Sequence, residues 1–308
     1  MVPVLFLVVT MVFVLIRIVP GDVAVLMVAE AGGLGGAAGQ TIEKIRSDLH
    51  LNEPIYVQYL LFLRDMSHGD LGRSYYDNKP ALGKILDRLP VTLELAILSI
   101  AVSLMIAVPL GVISAIRQDS WIDYIARLGS ILALSMPLFW TGTMLVIFPA
   151  IWFNWLPPLG YAAPWEDLSK NLKQFLVPAL VLGAALAGTV ARMTRSAMLE
   201  VLRQDYIRTA LAKGLRERVI IYRHALKNAM IPVITIVGLQ VAFLLGGSVV
   251  VETIFSLPGV GRLTVNSVFQ RDLPQLQVNV LFFSFIILMV NLMVDLTYGW
   301  LDPRIRYR

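Results

Sequence analysis

Val91-Thr-Leu-Glu94-Leu-Ala-Ile-Leu-Ser-Ile100-Ala-Val-Ser-Leu-Met-Ile-Ala-Val-Pro109-Leu-Gly-Val-Ile-Ser-Ala-Ile116 decides the fold class, because after Glu94 it runs to Ile116 without a charge. Leu95 to Val112 is apolar on every side, which fits neither the one-sided stripe of a surface helix nor the alternating polarity of a membrane-barrel strand. An all-round apolar helix of about 20 residues is long enough to cross a bilayer. Five other stretches read the same way: Pro3 to Val19, Ala126 to Ile151, Phe175 to Arg192, Met230 to Val251 and Val278 to Leu301. The expected fold is therefore all-α and polytopic, with six transmembrane helices. No basic residue precedes the first stretch and no small-residue cleavage site follows it at Val19-Pro20-Gly21-Asp22, so it reads as a retained helix rather than a signal peptide.

Composition agrees. Of 308 residues, 57% are hydrophobic and 15% charged, and the mean hydropathy is +0.73; a soluble domain keeps about a quarter of its residues charged. The absence of cysteine removes disulfides, thiolate metal sites and a cysteine nucleophile. The net charge of +5 is explained by topology. With the N-terminus inside, the segments Arg117 to Ile125, Met193 to Ala229 and Asp302 to Arg308, with the flanking Arg127 and Arg192, hold 14 basic and 6 acidic residues, against 11 and 13 outside. A basic excess inside is the normal membrane pattern. Both termini are then cytoplasmic, the partner surface is lipid, and no nucleic-acid partner is expected.

The chain divides into a first helix over 1–20, a folded extracytoplasmic loop over 21–90 and a five-helix core over 91–308. In that core, the cytoplasmic stretch between the fourth and fifth spans alternates small or apolar Thr209, Ala210, Leu211 and Leu215 with Arg208, Lys213, Arg216 and Arg218. Asp205 is placed to cap a run from Tyr206 to Lys213, Gly214 to end it, and Val219 to Ala229 to resume before Pro232 opens the next span. Helix, glycine break, helix with both apolar and cationic surface reads as a docking element over about 205–218.

The run Asp205-Tyr-Ile-Arg-Thr-Ala-Leu-Ala-Lys-Gly-Leu215 resembles the D-Y-[VI]-R-T-A-x-A-K-G-L run of the dipeptide and oligopeptide permeases of bacterial ABC importers. Further stretches are similar to that family in the same order: Arg17-Ile-Val-Pro-Gly-Asp22, Leu51-Asn-Glu-Pro-Ile-Tyr-Val-Gln-Tyr59, His68-Gly-Asp-Leu-Gly-Arg-Ser74, Leu89-Pro-Val-Thr-Leu-Glu-Leu95, Phe255-Ser-Leu-Pro-Gly-Val-Gly-Arg262 and Leu301-Asp-Pro-Arg-Ile-Arg-Tyr307. The family carries a short basic segment before its first span, whereas here Met1 adjoins the span. The general coupling motif has Glu-Ala-Ala where this chain has Arg208-Thr209-Ala210, which resembles the peptide-permease variant.

The resemblance implies the type I importer permease fold with a large loop after the first helix. It also implies a second homologous permease, two ATPase subunits that carry the ATP and magnesium, and an extracytoplasmic binding protein that delivers peptide. On that reading Asp205, Tyr206, Arg208, Thr209, Ala210, Ala212, Lys213, Gly214 and Leu215 couple to the ATPase, and Asp70, Arg73 and Asp77 in the outer loop meet the binding protein. Related permeases carry nickel complexes or glutathione.

Other features have simpler readings. The run Gly32-Gly-Leu-Gly-Gly-Ala-Ala-Gly39 lacks the lysine of a phosphate-binding loop and reads as outer-loop chain. His50, His68 and His224 lack ligand spacing, so no metal, cofactor or catalytic residue is assigned. Glu94 and Asp295 are carboxylates at membrane depth, which are costly there; they either face the translocation path or are hydrogen-bonded or paired within the bundle, as with Arg192. Trp152, Trp155 and Trp165 read as interfacial anchors, and Gly183, Gly188 and nearby alanines as a close-packing face. An ion-driven transporter would need charged relays or inverted repeats, and an intramembrane enzyme a nucleophile and base.

Overall fold

The computed structural model describes residues 2–18, 25, 42–43, 46–47, 52–158 and 160–301; the side chains of 2, 15–18, 295 and 297–301 fall outside that description. The glycine-rich run 32–39, His50, most of the loop 21–51 and the C-terminal 302–308 lie outside the described residues, as does the Arg17 side chain. The helices are α1 Val2–Ile18, α2 Ile55–Ser67, α3 Ala81–Ile116, α4 Trp121–Ser135, α5 Leu138–Phe153, α6 Leu168–Leu202, α7 Asp205–Ala212, α8 Glu217–Ile254, α9 Val260–Phe269 and α10 Leu273–Leu301. Among the described residues the only extended pairing is a bridge between Arg73 and Pro80.

Four helices, α3, α6, α8 and α10, are long and apolar enough to cross a membrane, and α4 with α5 makes a fifth when counted as one span. The apolar α1 has 17 residues, about 26 Å of helix. The third stretch, read over 126–151, falls on two helices, and the chain turns by 96° between α4 and α5. Pro137 has no N–H to donate and drives Met136 out of the helical region, to φ −76° and ψ 124°. The second helix starts at Ala81, ten residues before the expected Val91, with Pro90 inside it. Within α8, Ile220–Ala225 forms a π turn, and Pro232 sits inside the helix rather than opening a new one.

The chain forms two compact units. One comprises 1–87 and 263–286. In it Phe13 of α1 packs edge-on against Tyr59 and stacks on Phe62 of α2, and the Thr10 hydroxyl meets the Tyr59 hydroxyl at 2.6 Å. Asp272, buried, accepts from the Ser74 hydroxyl at 2.5 Å and the Tyr75 amide at 3.0 Å, which holds the turn ahead of α3.

The other unit comprises 88–262 and 287–308 and is organised on α6. Phe175, Ala179, Leu182, Leu186, Val190, Thr194 and Met198 recur every three to four residues and are all buried, the spacing of one helix face. Close approach is what the glycines permit. A Cβ on Gly183 would lie 2.7 Å from the Ser99 carbonyl oxygen of α3, and one on Gly188 2.7 Å from that of Ser130 in α4. The small-residue face of α6 therefore packs on helices of this same chain.

Candidate functional site

A helix forms over Asp205–Ala212, where the sequence places one over Tyr206 to Lys213, with a different start. Gln204 precedes α7 and makes no side-chain cap, so Asp205 is the first helical residue rather than the cap; its carboxylate still lies favourably at the positive end of the helix. The end is closed by backbone geometry. Gly214 takes φ +75°, its amide donates to the Leu211 carbonyl at 2.9 Å and the Leu215 amide to the Ala210 carbonyl at 3.3 Å, the paired pattern of a left-handed helix stop.

Eight residues do not hold a helix by themselves; burial does. Ile207 and Ala210 are buried, three apart, in a cluster with Val112 and Ala115 of α3, Ala197 and Met198 of α6 and Ile220, Ile221, Ala225 and Ala229 of α8. Burying Ile207 alone is worth about 2 kcal/mol. A second tie comes from Asn228 of α8, whose amide donates to the Tyr206 hydroxyl at 2.8 Å and the His224 carbonyl at 3.1 Å. Of the nine residues assigned to coupling, Ala210 therefore faces the bundle, because it shares the buried stripe with Ile207. Asp205, Tyr206, Arg208, Thr209, Ala212, Lys213, Gly214 and Leu215 are exposed, and so is Leu211. The Arg208–Asp205 ion pair, at 3.5 Å and largely exposed, adds little.

Glu94 is half-buried and accepts from the Tyr161 hydroxyl at 3.0 Å and from Asn171 at 2.5 Å. Burial, then the bond to Glu94, pushes the Tyr161 hydroxyl up to about 12. Arg192 is not among the partners of Glu94. Asn171 and Gln174 also bind the carbonyls of Ala162 and Gly160 at 2.9 and 2.6 Å, which fixes the segment after α5. Trp152 and Trp165 are exposed and Trp155 half-buried. Asp295 lies on α10, and its side chain is outside the description.

Asp70, Arg73 and Asp77 are exposed around the turn bridged at Arg73 and Pro80. Each has a local role: Asp70 accepts from the Gly72 amide, Arg73 donates to the Asn78 carbonyl, and Asp77 pairs with Lys84 at 3.1 Å. Burial works to raise the Asp77 carboxyl, but hydrogen bonds from Lys84, Ser74 and the Lys79 amide outweigh it and hold it below its ordinary value.

Three buried carboxylates escaped sequence reasoning: Asp272, which holds the turn ahead of α3, and two more. Glu252 at the end of α8 is fully buried and accepts from the Thr92 hydroxyl at 2.8 Å and the Arg262 amide at 2.9 Å, while Thr92 accepts from the Val260 amide at 2.9 Å. This latches the turn 255–262 to α3. Asp123 in the first turn of α4 is also fully buried; both oxygens are gripped by Arg195 at 2.8 Å, and Arg127, Ser114 and the Asp119 amide complete its shell. Ser120 capping α4 three residues earlier was the one local signal. Among the described residues no group of three His, Cys, Asp or Glu stands close enough to hold a metal.

The apolar helices α3, α4, α5 and α8 gathered around α6, with a short amphipathic helix seated on the ends of α3, α6 and α8, define a helical bundle of membrane-spanning composition. The chain belongs to the family of binding-protein-dependent transport system inner membrane components, whose model matches residues 107–307, with the companion N-terminal model matching 1–96. It is 40% identical over 306 residues to a protein of Brucella abortus described as a peptide transport system permease, covering 99% of this chain and 96% of that one. It is 39% identical to a dipeptide transport system permease of Alkalihalophilus pseudofirmus, covering 100% and 97%, and 40% identical to a glutathione transport system permease of Pectobacterium atrosepticum, covering 100% and 96%. Among solved structures, an amino acid ABC transporter crystallised with histidines shares the fold at a TM-score of 0.52 and 15% identity, covering 70% of this chain and 93% of that one. This protein is thus a permease subunit of an ABC importer.

Proposed function

We propose that this permease carries short peptides, crosses the membrane six times with both termini in the cytoplasm, and receives its drive through α7. In that reading α1, the bent α4–α5 pair and α3, α6, α8 and α10 are the six spans, and 21–80 lies outside. A second permease completes the path, two ATPase subunits bind ATP and magnesium and receive α7, and a binding protein docks near Asp70, Arg73 and Asp77. Glu94, with its hydrogen bonds to Tyr161 and Asn171, is a structural carboxylate in this scheme, and Asp295 a candidate for the path.

The observation that supports coupling is the seating of α7. Ile207 and Ala210 lock it onto the ends of α3, α6 and α8, so a push on its exposed face of Tyr206, Arg208, Leu211, Lys213 and Leu215 moves three helices together. Transport follows when ATP and loaded binding protein favour different conformations of the permease pair. The test is a reconstituted complex with the second permease, ATPases and binding protein. Leu211→Asp and Gly214→Leu should abolish peptide-stimulated ATP hydrolysis at normal abundance; wild-type stimulation by both would refute the assignment.

The similarity to a glutathione permease matches that to peptide permeases, and glutathione is itself a tripeptide, so cargo choice within this class rests with the binding protein. Uptake by the complex should withstand a protonophore at constant ATP. Uptake by the lone chain that collapses with an ion gradient would establish an ion-driven carrier instead.

A further inference from the structure

We infer that the rim of the cleft where α3, α4 and α6 meet, on the side of the bundle that carries α7, binds the phosphate of an anionic phospholipid. Ser114, Ala126, Arg127, Ser130, Arg192 and Arg195 line it. Three guanidinium groups converge there on too little negative charge. Asp123 is consumed by Arg195 and Arg127, and Asp119, 3.7 Å from Arg127, is two-thirds exposed to water. Arg192 makes no ion pair among the described residues and is exposed, and the Arg127 Nε is buried with no acceptor. An arginine without a carboxylate partner, exposed at the end of a membrane helix, calls for an anion.

The depth of the cleft selects the source of that anion. The apolar runs of α3 and α6 end at Ile116 and Arg192, and that of α4 begins at Ala126, so the cleft sits where the hydrocarbon stops. Trp121 and Tyr124 beside it are 70% and 58% exposed, the placement of rings in the headgroup layer, and the Arg127 guanidinium lies 4.5 Å over the Tyr124 ring. Exposed Leu128 and Ile131 continue along α4 from this point, offering acyl chains an apolar wall. A zwitterionic headgroup would bring its own cation beside Arg192, whereas an anionic one cancels the surplus.

The test uses the purified full chain, stripped of lipid and titrated with phosphatidylglycerol or phosphatidylcholine, with bound lipid counted by native mass spectrometry. Phosphatidylglycerol should be retained in preference. Arg192→Gln should weaken that preference about fivefold, the effect of one basic residue at an anionic surface, with Arg192→Lys restoring part of it. Ala126→Leu, which crowds the rim of the cleft and removes no charge, should lower phosphatidylglycerol retention with phosphatidylcholine unchanged. Equal retention of the two lipids, or a preference untouched by both Arg192→Gln and Ala126→Leu in monodisperse protein, overturns the assignment. Displacement of the lipid by millimolar inorganic phosphate overturns the lipid as the source. The readout needs neither ATP nor cargo, so it stands apart from the coupling experiment.

Discussion

Thr92→Val removes one hydroxyl at constant side-chain volume, and the structure says what that hydroxyl does. It gives its single proton to Glu252 at 2.8 Å and accepts from the Val260 amide at 2.9 Å, all three groups being buried. Valine can do neither, so a buried carboxylate oxygen and a buried amide lose their partners at once. Each orphaned group costs about 1–3 kcal/mol, and the two together about 2–6 kcal/mol. On the scale of a large domain, where 1 kcal/mol moves the midpoint by about 2–4 °C, the loss is at least about 4 °C. The assay is thermal unfolding of the purified chain in one detergent, following tryptophan emission, with Thr92→Ser as the control that keeps the hydroxyl and returns most of the loss. A Thr92→Val midpoint within a degree of wild type would refute the latch between α3, α8 and the turn before α9.

Asp123→Ala should lower the unfolding free energy by about 3–5 kcal/mol, because Arg195 is left largely desolvated without its carboxylate; adding Arg195→Leu should restore part of it, which a double-mutant cycle measures. Gly188→Ala forces a Cβ to 2.7 Å from the Ser130 carbonyl and should cost about 1–3 kcal/mol, while Gly129→Ala, with open space at its Cβ, should gain up to about 1 kcal/mol from helix propensity; equal midpoints for the two would count against the packing of α4 on α6. Tyr161, held at about 12 against an ordinary value of 10.0, contributes stability that is complete below pH 10 and lost as pH rises from there through about 12. Tyr161→Phe should flatten that alkaline decline, and an unchanged decline would refute its source.

Length and hydropathy made the helices legible, because a run such as 95–116 has no other solution than a span. The bend at Met136 was not, since hydropathy sums over Pro137 as though the chain ran straight; the proline was visible, but its effect depends on whether neighbouring helices hold the two arms aligned. The early start of α3 was hidden because Pro90 reads as a boundary, whereas Ala81 and Ile85 are buried and carry the helix back past it. The end of α7 was legible because the signal of Gly214 is local, and its buried side was missed because the signal is a helix face: the three-residue spacing of Ile207 and Ala210 was in the sequence and marks that side. Glu252 and Asp123 were out of reach, because their partners Thr92 and Arg195 lie 160 and 72 positions away.

The π turn at Ile220–Ala225 acts as a phase-setting residue count. A helix advances about 100° per residue, so one extra residue accommodated there fixes the angle at which Glu217–Val219 meets the span. Losing a single residue from that turn would leave the composition and hydropathy of α8 almost untouched, yet it would rotate Glu217–Val219 by roughly a quarter turn and strain the short link through Gly214 to the seat of Ile207 and Ala210. In this stretch the number of residues is under tighter constraint than their identity.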